Sequence, residues 1–130
     1  MTFVKFAPRT TDNSVVNRKV GDWIPPVDIL EGKEEYMLYL DAPGFDKDKL
    51  SVTVKDGVLS VAGERTLTQP GETDSKYFHS FERTGSRFLR TFRLPRHTNS
   101  DGVAGEYENG VLAITVPKQE EAKPHTITIK

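Results

Sequence analysis

His79, His97 and His125 are the side chains best suited to holding a metal or moving a proton near neutral pH in a chain of 130 residues without cysteine. They lie far apart, each in or beside a turn or an exposed strand, so a metal site would need a fold that converges them. The carboxylate pairs Asp46/Asp48 and Glu120/Glu121 fall in charged, polar stretches. There they stay ordinary surface charges, and a glycosidase built on two carboxylates would need a cleft that a domain of this size rarely supplies. No Gly-x-Ser-x-Gly, phosphate-binding glycine loop or His-Glu-x-x-His is present. The pattern points to no enzyme, no metal and no cofactor.

What remains is recognition chemistry. Ile127-Thr128-Ile129-Lys130 follows a polar stretch from Lys118 to Thr126. Isoleucines two residues apart point to the same side of an extended segment, and the polar stretch offers no apolar stripe to bury them. Burying both contributes about 3–6 kcal/mol gross, against roughly 1–2 kcal/mol for each residue ordered. One docking event is therefore weak, and several together are strong. The pair either closes an edge of its own sheet or docks in a groove, on this domain or on a neighbour. Arg90 shares a face with Phe88, Phe92 and Leu94. Its guanidinium can snorkel out, its strand can bulge, or it can form an ion pair between strands or subunits, with Glu82 or Glu64 as the acid. Tyr77-Phe78-His79-Ser80-Phe81 is an aromatic-rich strand within a long polar loop. It either extends a hairpin of its own sheet or adds to the exposed edge of another subunit.

The charges, 18 basic against 19 acidic for a formal net of -1, are well mixed along the chain. No basic block could neutralise several phosphates, which argues against nucleic acid as a partner. No run reaches the ~18–20 apolar residues of a membrane span, so no integral membrane role is expected. The start, Met1-Thr2-Phe3-Val4-Lys5-Phe6, lacks the basic-then-apolar order of a signal peptide. A cytoplasmic protein is the expectation.

The elements that must position these residues are strands. Residues 1–22 read as an arm, polar with scattered Phe3, Val4, Phe6, Val15 and Val16, either a frayed terminus or a sticky arm for a partner. Pro25-Pro26 forbids a helix and leads into an edge-like strand at Val27-Asp28-Ile29. Tyr36 to Asp41 follows, and Asp46 to Lys49 forms a charged turn or a single helical turn. Leu50, Val52 and Val54 alternate with Ser51, Thr53 and Lys55, the mark of a half-buried strand. Asp56-Gly57 and Asn109-Gly110 are hairpin turns with positive φ at both central residues. Around them run Val58 to Gly63, Val103 to Glu108 and Val111 to Val116, with Phe88 to Leu94 between. Eight or nine short strands without helical periodicity predict an all-β, immunoglobulin-like antiparallel sandwich. The divisions expected are an arm at 1–22, a domain at 23–117 and an extension at 118–130.

Together these landmarks resemble the small heat-shock protein family, built on the α-crystallin domain. They are Pro26-Val27-Asp28-Ile29, Leu40-Asp41-Ala42-Pro43-Gly44-Phe45, Val58 through Arg65, Phe88-Leu89-Arg90-Thr91-Phe92-Arg93-Leu94-Pro95, Glu108-Asn109-Gly110-Val111-Leu112 through Val116-Pro117-Lys118, and the Ile127-x-Ile129 tail. The long loop before Tyr77 looks like the bacterial and plant branch. Two departures stand out: Gly105 replaces the family's alanine, and the arm is short for the family.

The resemblance implies an ATP-independent holdase that binds partly unfolded clients and prevents their aggregation, working as a homodimer-based oligomer. ATP-dependent chaperones downstream would take up release and refolding. Ile127 and Ile129 would dock in a neighbour's groove formed by Leu50, Val52 and Val54 with Val103. Tyr77, Phe78, His79 and Phe81 would exchange across the dimer onto Val27 and Ile29. Phe3, Val4, Phe6, Trp23 and Ile24 would contact clients. A CS-domain-type co-chaperone uses a similar sandwich but needs neither the tail nor the swapping loop. A β-sandwich adhesion or carbohydrate module would carry a secretion signal and clustered exposed aromatics.

Overall fold

Alternating apolar and polar runs, punctuated by Gly, Pro and Asx, fold into seven strands among residues 23–68, 76–83, 85–120 and 126–130, which the computed structural model describes. They are β1 (Val27–Glu31), β2 (Glu35–Asp41), β3 (Leu50–Lys55), β4 (Val58–Glu64), β5 (Arg87–Arg93), β6 (Ala104–Glu108) and β7 (Val111–Pro117). One sheet has the order β1-β2-β7-β6 and the other β3-β4-β5, with every pairing antiparallel. Lys47–Lys49 is a single 3-10 turn, as its charged sequence suggested.

Both hairpins close as their turn chemistry dictates. Asp56 and Gly57 have φ of 51° and 74°, Asn109 and Gly110 have 53° and 76°. Lys55 then faces Val58, and Glu108 faces Val111, across two-residue loops. Type I′ geometry matches the right-handed twist of the flanking strands, so these turns set the register of β3–β4 and β6–β7.

The core lies between the sheets. Tyr36, Leu38 and Leu40 on β2 sit directly opposite Val116, Ile114 and Leu112 on β7. They meet Leu59, Val61, Phe88 and Phe92 from the second sheet. Gly63, opposite Phe88, has no room for a side chain: a Cβ there would fall 2.5 Å from the Phe88 ring. Residues 23–26 stitch the sheets together at one end. Trp23 N–H donates to the Arg87 carbonyl (2.8 Å), and Asp41 N–H donates to the Pro26 carbonyl (3.2 Å).

The strand count is smaller than the eight or nine expected. Tyr77–Phe81 and Ile127–Ile129 form no strand within the single chain. A strand exists only when another edge satisfies its main-chain groups, and neither segment meets one here. Four edges are left on the sandwich: β1 and β6 on one sheet, β3 and β5 on the other.

Candidate functional site

An apolar seam opens where the edges β3 and β6 meet. Leu50, Val52 and Val54 lie opposite Gly63, Val61 and Leu59, so they point into the sandwich, yet each is only half-buried. Their cover from the facing sheet is thin. The inward positions of β6, opposite Ile114 and Leu112, hold Gly105 and Tyr107. A Cβ added to Gly105 would rest in ordinary contact, 3.7 Å from Leu112 Cδ1 and 3.8 Å from Val52 Cγ2. The missing methyl therefore widens the seam. Val103 lines one end, and Tyr107 closes the other, its hydroxyl donating to the Ala42 carbonyl at 2.6 Å. Each edge also presents unpaired main-chain groups on its open side. Apolar side chains spaced about 6.8 Å apart along β3 match the spacing of an i, i+2 pair in an extended ligand.

The sequence-predicted residues divide around this seam. Leu50, Val52, Val54 and Val103 converge there. Ile127 and Ile129 do not fill it: they are 79% and 93% exposed in the single chain. Val27 and Ile29 pack on the core from the free edge β1. Tyr77 is 81% exposed; its ring tilts against His79 at 5.1 Å, and Phe78 meets Phe81 edge-on at 5.3 Å. These aromatics pair with one another and not with the sandwich core.

Arg90 does occupy the inner face, opposite Val61. The ion pair expected with Glu82 or Glu64 is not formed inside the chain. Its Nη1 instead donates to the Pro25 carbonyl (2.8 Å), and the guanidinium stacks 5.1 Å from the Phe92 ring centre. Burial pulls its pKa below the usual arginine value. Glu82 accepts from the Ser80 hydroxyl at 3.0 Å.

Trp23, expected to contact clients, is built into the domain. Its ring stacks on Phe45 and meets Phe88 edge-on, both at 6.2 Å, while Ile24 beside it is exposed. Phe3, Val4, Phe6 and His125 lie outside the described residues. Among the described residues no cluster of three His, Asp or Glu could hold a metal, and no helix is long and apolar enough to cross a membrane.

Two arrangements escaped the sequence reading. Arg65 donates from Nε to the Gly85 carbonyl (3.0 Å) and from Nη1 to the Pro43 carbonyl (2.6 Å), with its guanidinium over Trp23 and Phe45. Desolvation, then repulsion from Arg83, lowers its pKa. Gly85, at φ +89°, lies so close that a Cβ would be 2.5 Å from Trp23 Cβ. At the root of the tail, Lys118 Nζ meets Glu31 Oε2 at 2.6 Å and lies over the Tyr36 ring. Desolvation, reinforced by Glu31, raises the Tyr36 pKa. Lys118 N–H donates to the Glu34 carbonyl and Gln119 N–H to the His97 carbonyl, so both residues remain tied to the domain. Only the family-like Pro117-Lys118 hinted at this root.

Comparison with known proteins gives the geometry a lineage. The model of the Hsp20/alpha crystallin family matches residues 28–130. An 18.1 kDa class I heat shock protein of Oryza sativa subsp. japonica is 41% identical over 105 residues, covering 80% of this chain and 64% of that protein. The chain thus spans somewhat less than two thirds of that relative. The chloroplastic heat shock 22 kDa protein of Chlamydomonas reinhardtii is 43% identical over 108 residues, covering 82% of this chain and 68% of its own length. Among solved structures, a small heat-shock protein from Xylella fastidiosa, described with a distinct high order structure, superposes with a TM-score of 0.70. It is 35% identical over 84% of this chain and 98% of its own. Heat shock protein 16.0 from Schizosaccharomyces pombe gives 0.67 at 30% identity, covering 85% of this chain and 78% of that one. Seven strands in two antiparallel sheets are the α-crystallin sandwich, and the chain belongs to the Hsp20/alpha-crystallin family of small heat shock proteins.

Proposed function

We propose that this protein is an ATP-independent holdase that works as a dimer-based homo-oligomer and binds the exposed apolar segments of partly unfolded proteins. The observation that carries the reading is the open β3–β6 seam in a chain that also exposes Ile127 and Ile129. A surface with half-buried Leu50, Val52 and Val54 beside unpaired strand edges suits an extended apolar peptide. Tails of neighbouring subunits occupy the seam in the assembly. Tyr77, Phe78, His79 and Phe81 add to the β1 edge at Val27 and Ile29 across the dimer, where Glu82 or Glu64 can meet Arg90 of the other subunit. Clients contact Phe3, Val4, Phe6, Ile24 and the exposed part of half-buried Trp23.

Such a protein needs no cofactor. Binding only the non-native state shifts a client toward unfolding by mass action, so refolding falls to ATP-dependent chaperones downstream. Cytoplasmic residence belongs to this reading, and cell fractionation tests it, since one relative is chloroplastic. The deciding experiment is heat-induced turbidity of a labile client without nucleotide. Suppression at near-equimolar subunit ratios supports the reading; unchanged turbidity, with the protein monomeric by light scattering, overturns it.

A further inference from the structure

Strand parity separates charges that the linear sequence intermingles. On the outer face of the four-stranded sheet, five carboxylates project from strand positions, Asp28, Glu35, Asp41, Glu106 and Glu108, and no strand residue there is Lys or Arg. All five are exposed, and none is in an ion pair among the described residues. The centre of this face is apolar: Leu30 lies opposite Met37, and Tyr39, 41% exposed, lies opposite Ala113. The outer face of the second sheet has the opposite balance, with Lys55, Arg87 and Arg93 against Glu64. An acidic rim around an apolar centre calls for a basic, apolar occupant.

The chain itself supplies one. Residues 1–22 carry Lys5, Arg9, Arg18 and Lys19 against Asp12 and Asp22, a positive surplus in a chain whose total is -1. Val4-Lys5-Phe6 and Arg18-Lys19-Val20 interleave these cations with apolar side chains. We propose that this arm docks across the outer face of its own four-stranded sheet, with cations over the carboxylate rim and apolar side chains on Leu30, Met37 and Tyr39. Residue 23 is anchored at β5, and the preceding segment, at up to ~3.3 Å per residue, reaches well beyond the ~10 Å between packed sheets.

The basic face of a second copy has suitable charge but insufficient area. A four-stranded face of this length covers roughly 400 Å² at normal strand spacing, about half of what each partner buries in a stable interface. A tethered arm needs less, because its effective concentration is on the order of millimolar. Docking also covers the Phe3, Val4 and Phe6 assigned to client contact, so release of the arm precedes capture. The docking itself does not depend on that assignment.

Zero-length carbodiimide coupling of the full chain, in an equal mixture of unlabelled and ¹⁵N-labelled protein, tests the contact. Cross-links should join Lys5 or Lys19 to Asp28, Glu35, Glu106 or Glu108 within single-isotope chains. The Arg9→Glu, Arg18→Glu variant keeps both lysines, and its yield should fall by roughly fivefold to tenfold as attraction becomes repulsion. Adding Asp41→Lys and Glu106→Lys should restore yield at Asp28 and Glu35. Arm cross-links confined to carboxylates elsewhere, mixed-isotope pairs, a Lys55–Glu106 link in place of the arm links, or a yield indifferent to charge reversal would each overturn the proposal.

Discussion

At the scale of single residues, glycine decides more than any polar group. Gly105 and Gly63 both sit in strands, yet a methyl would be received differently. At Gly105 it meets only ordinary contacts and no positive φ, so Gly105→Ala should stabilise the domain by about 0.4–1 kcal/mol through the unfolded chain's lost freedom. Urea denaturation would show a higher midpoint at an unchanged slope; a lower midpoint would mean that the seam cannot accept the methyl. At Gly63 the same change drives Cβ to 2.5 Å from Phe88 and 2.8 Å from Leu50, an overpacking cost of about 1–3 kcal/mol, read as a lower midpoint in the same experiment. Arg90 was legible as a cation on an apolar face, but its partner was not. The Pro25 carbonyl is 65 residues away in sequence, and no carboxylate pattern announces a main-chain acceptor. Arg90→Met should therefore cost about 1–3 kcal/mol by orphaning that carbonyl, and Arg90→Lys should recover only part of it, since an ammonium lacks the planar fork. Full recovery by lysine would show that charge alone matters.

At the scale of elements, the described residues divide into segments that find strand partners within the chain and segments that do not. The strands flanking Asp56-Gly57 and Asn109-Gly110 were readable because local turn chemistry and period-2 alternation agree with the final register. Tyr77–Phe81 and Ile127–Ile129 carry strand-like sequences without strand structure, because main-chain pairing is a property of two edges and a sequence describes only one. Replacing Ile127 and Ile129 with alanine should accordingly shrink the assembly toward dimers by light scattering and leave the thermal midpoint in place. Side chains this exposed in the single chain add little to its own fold. A fallen midpoint with unchanged mass would place the tail on its own domain. Deleting residues 68–80 should instead dissociate the dimers, and a dimer that survived the deletion would locate the subunit contact elsewhere.

At the scale of the whole molecule, the charges looked well mixed because they were read along the chain. Folding sorts them by parity: Asp28, Glu35, Asp41, Glu106 and Glu108 fall on one face, while the basic surplus of that region of surface lies on the other sheet. The seam between β3 and β6 crosses neither face; it is apolar and lies at an edge of the sandwich. The contacts proposed for the arm and for the tail thus differ in their physics, and salt separates them. The Debye length shortens from about 10 Å at 0.1 M to about 3 Å at 1 M, which weakens contacts on the acidic face, whereas apolar burial does not depend on that length. Raising a non-chaotropic salt from 0.1 to 1 M should leave tail-driven assembly mass unchanged while improving suppression of client turbidity, as the arm leaves the acidic face and its apolar residues become available. The Glu106→Lys, Glu108→Lys variant, with fewer carboxylates to hold the arm, should be more active at 0.1 M and gain less from salt. Equal salt dependence in both proteins would mean that ionic strength acts on the client rather than on this surface.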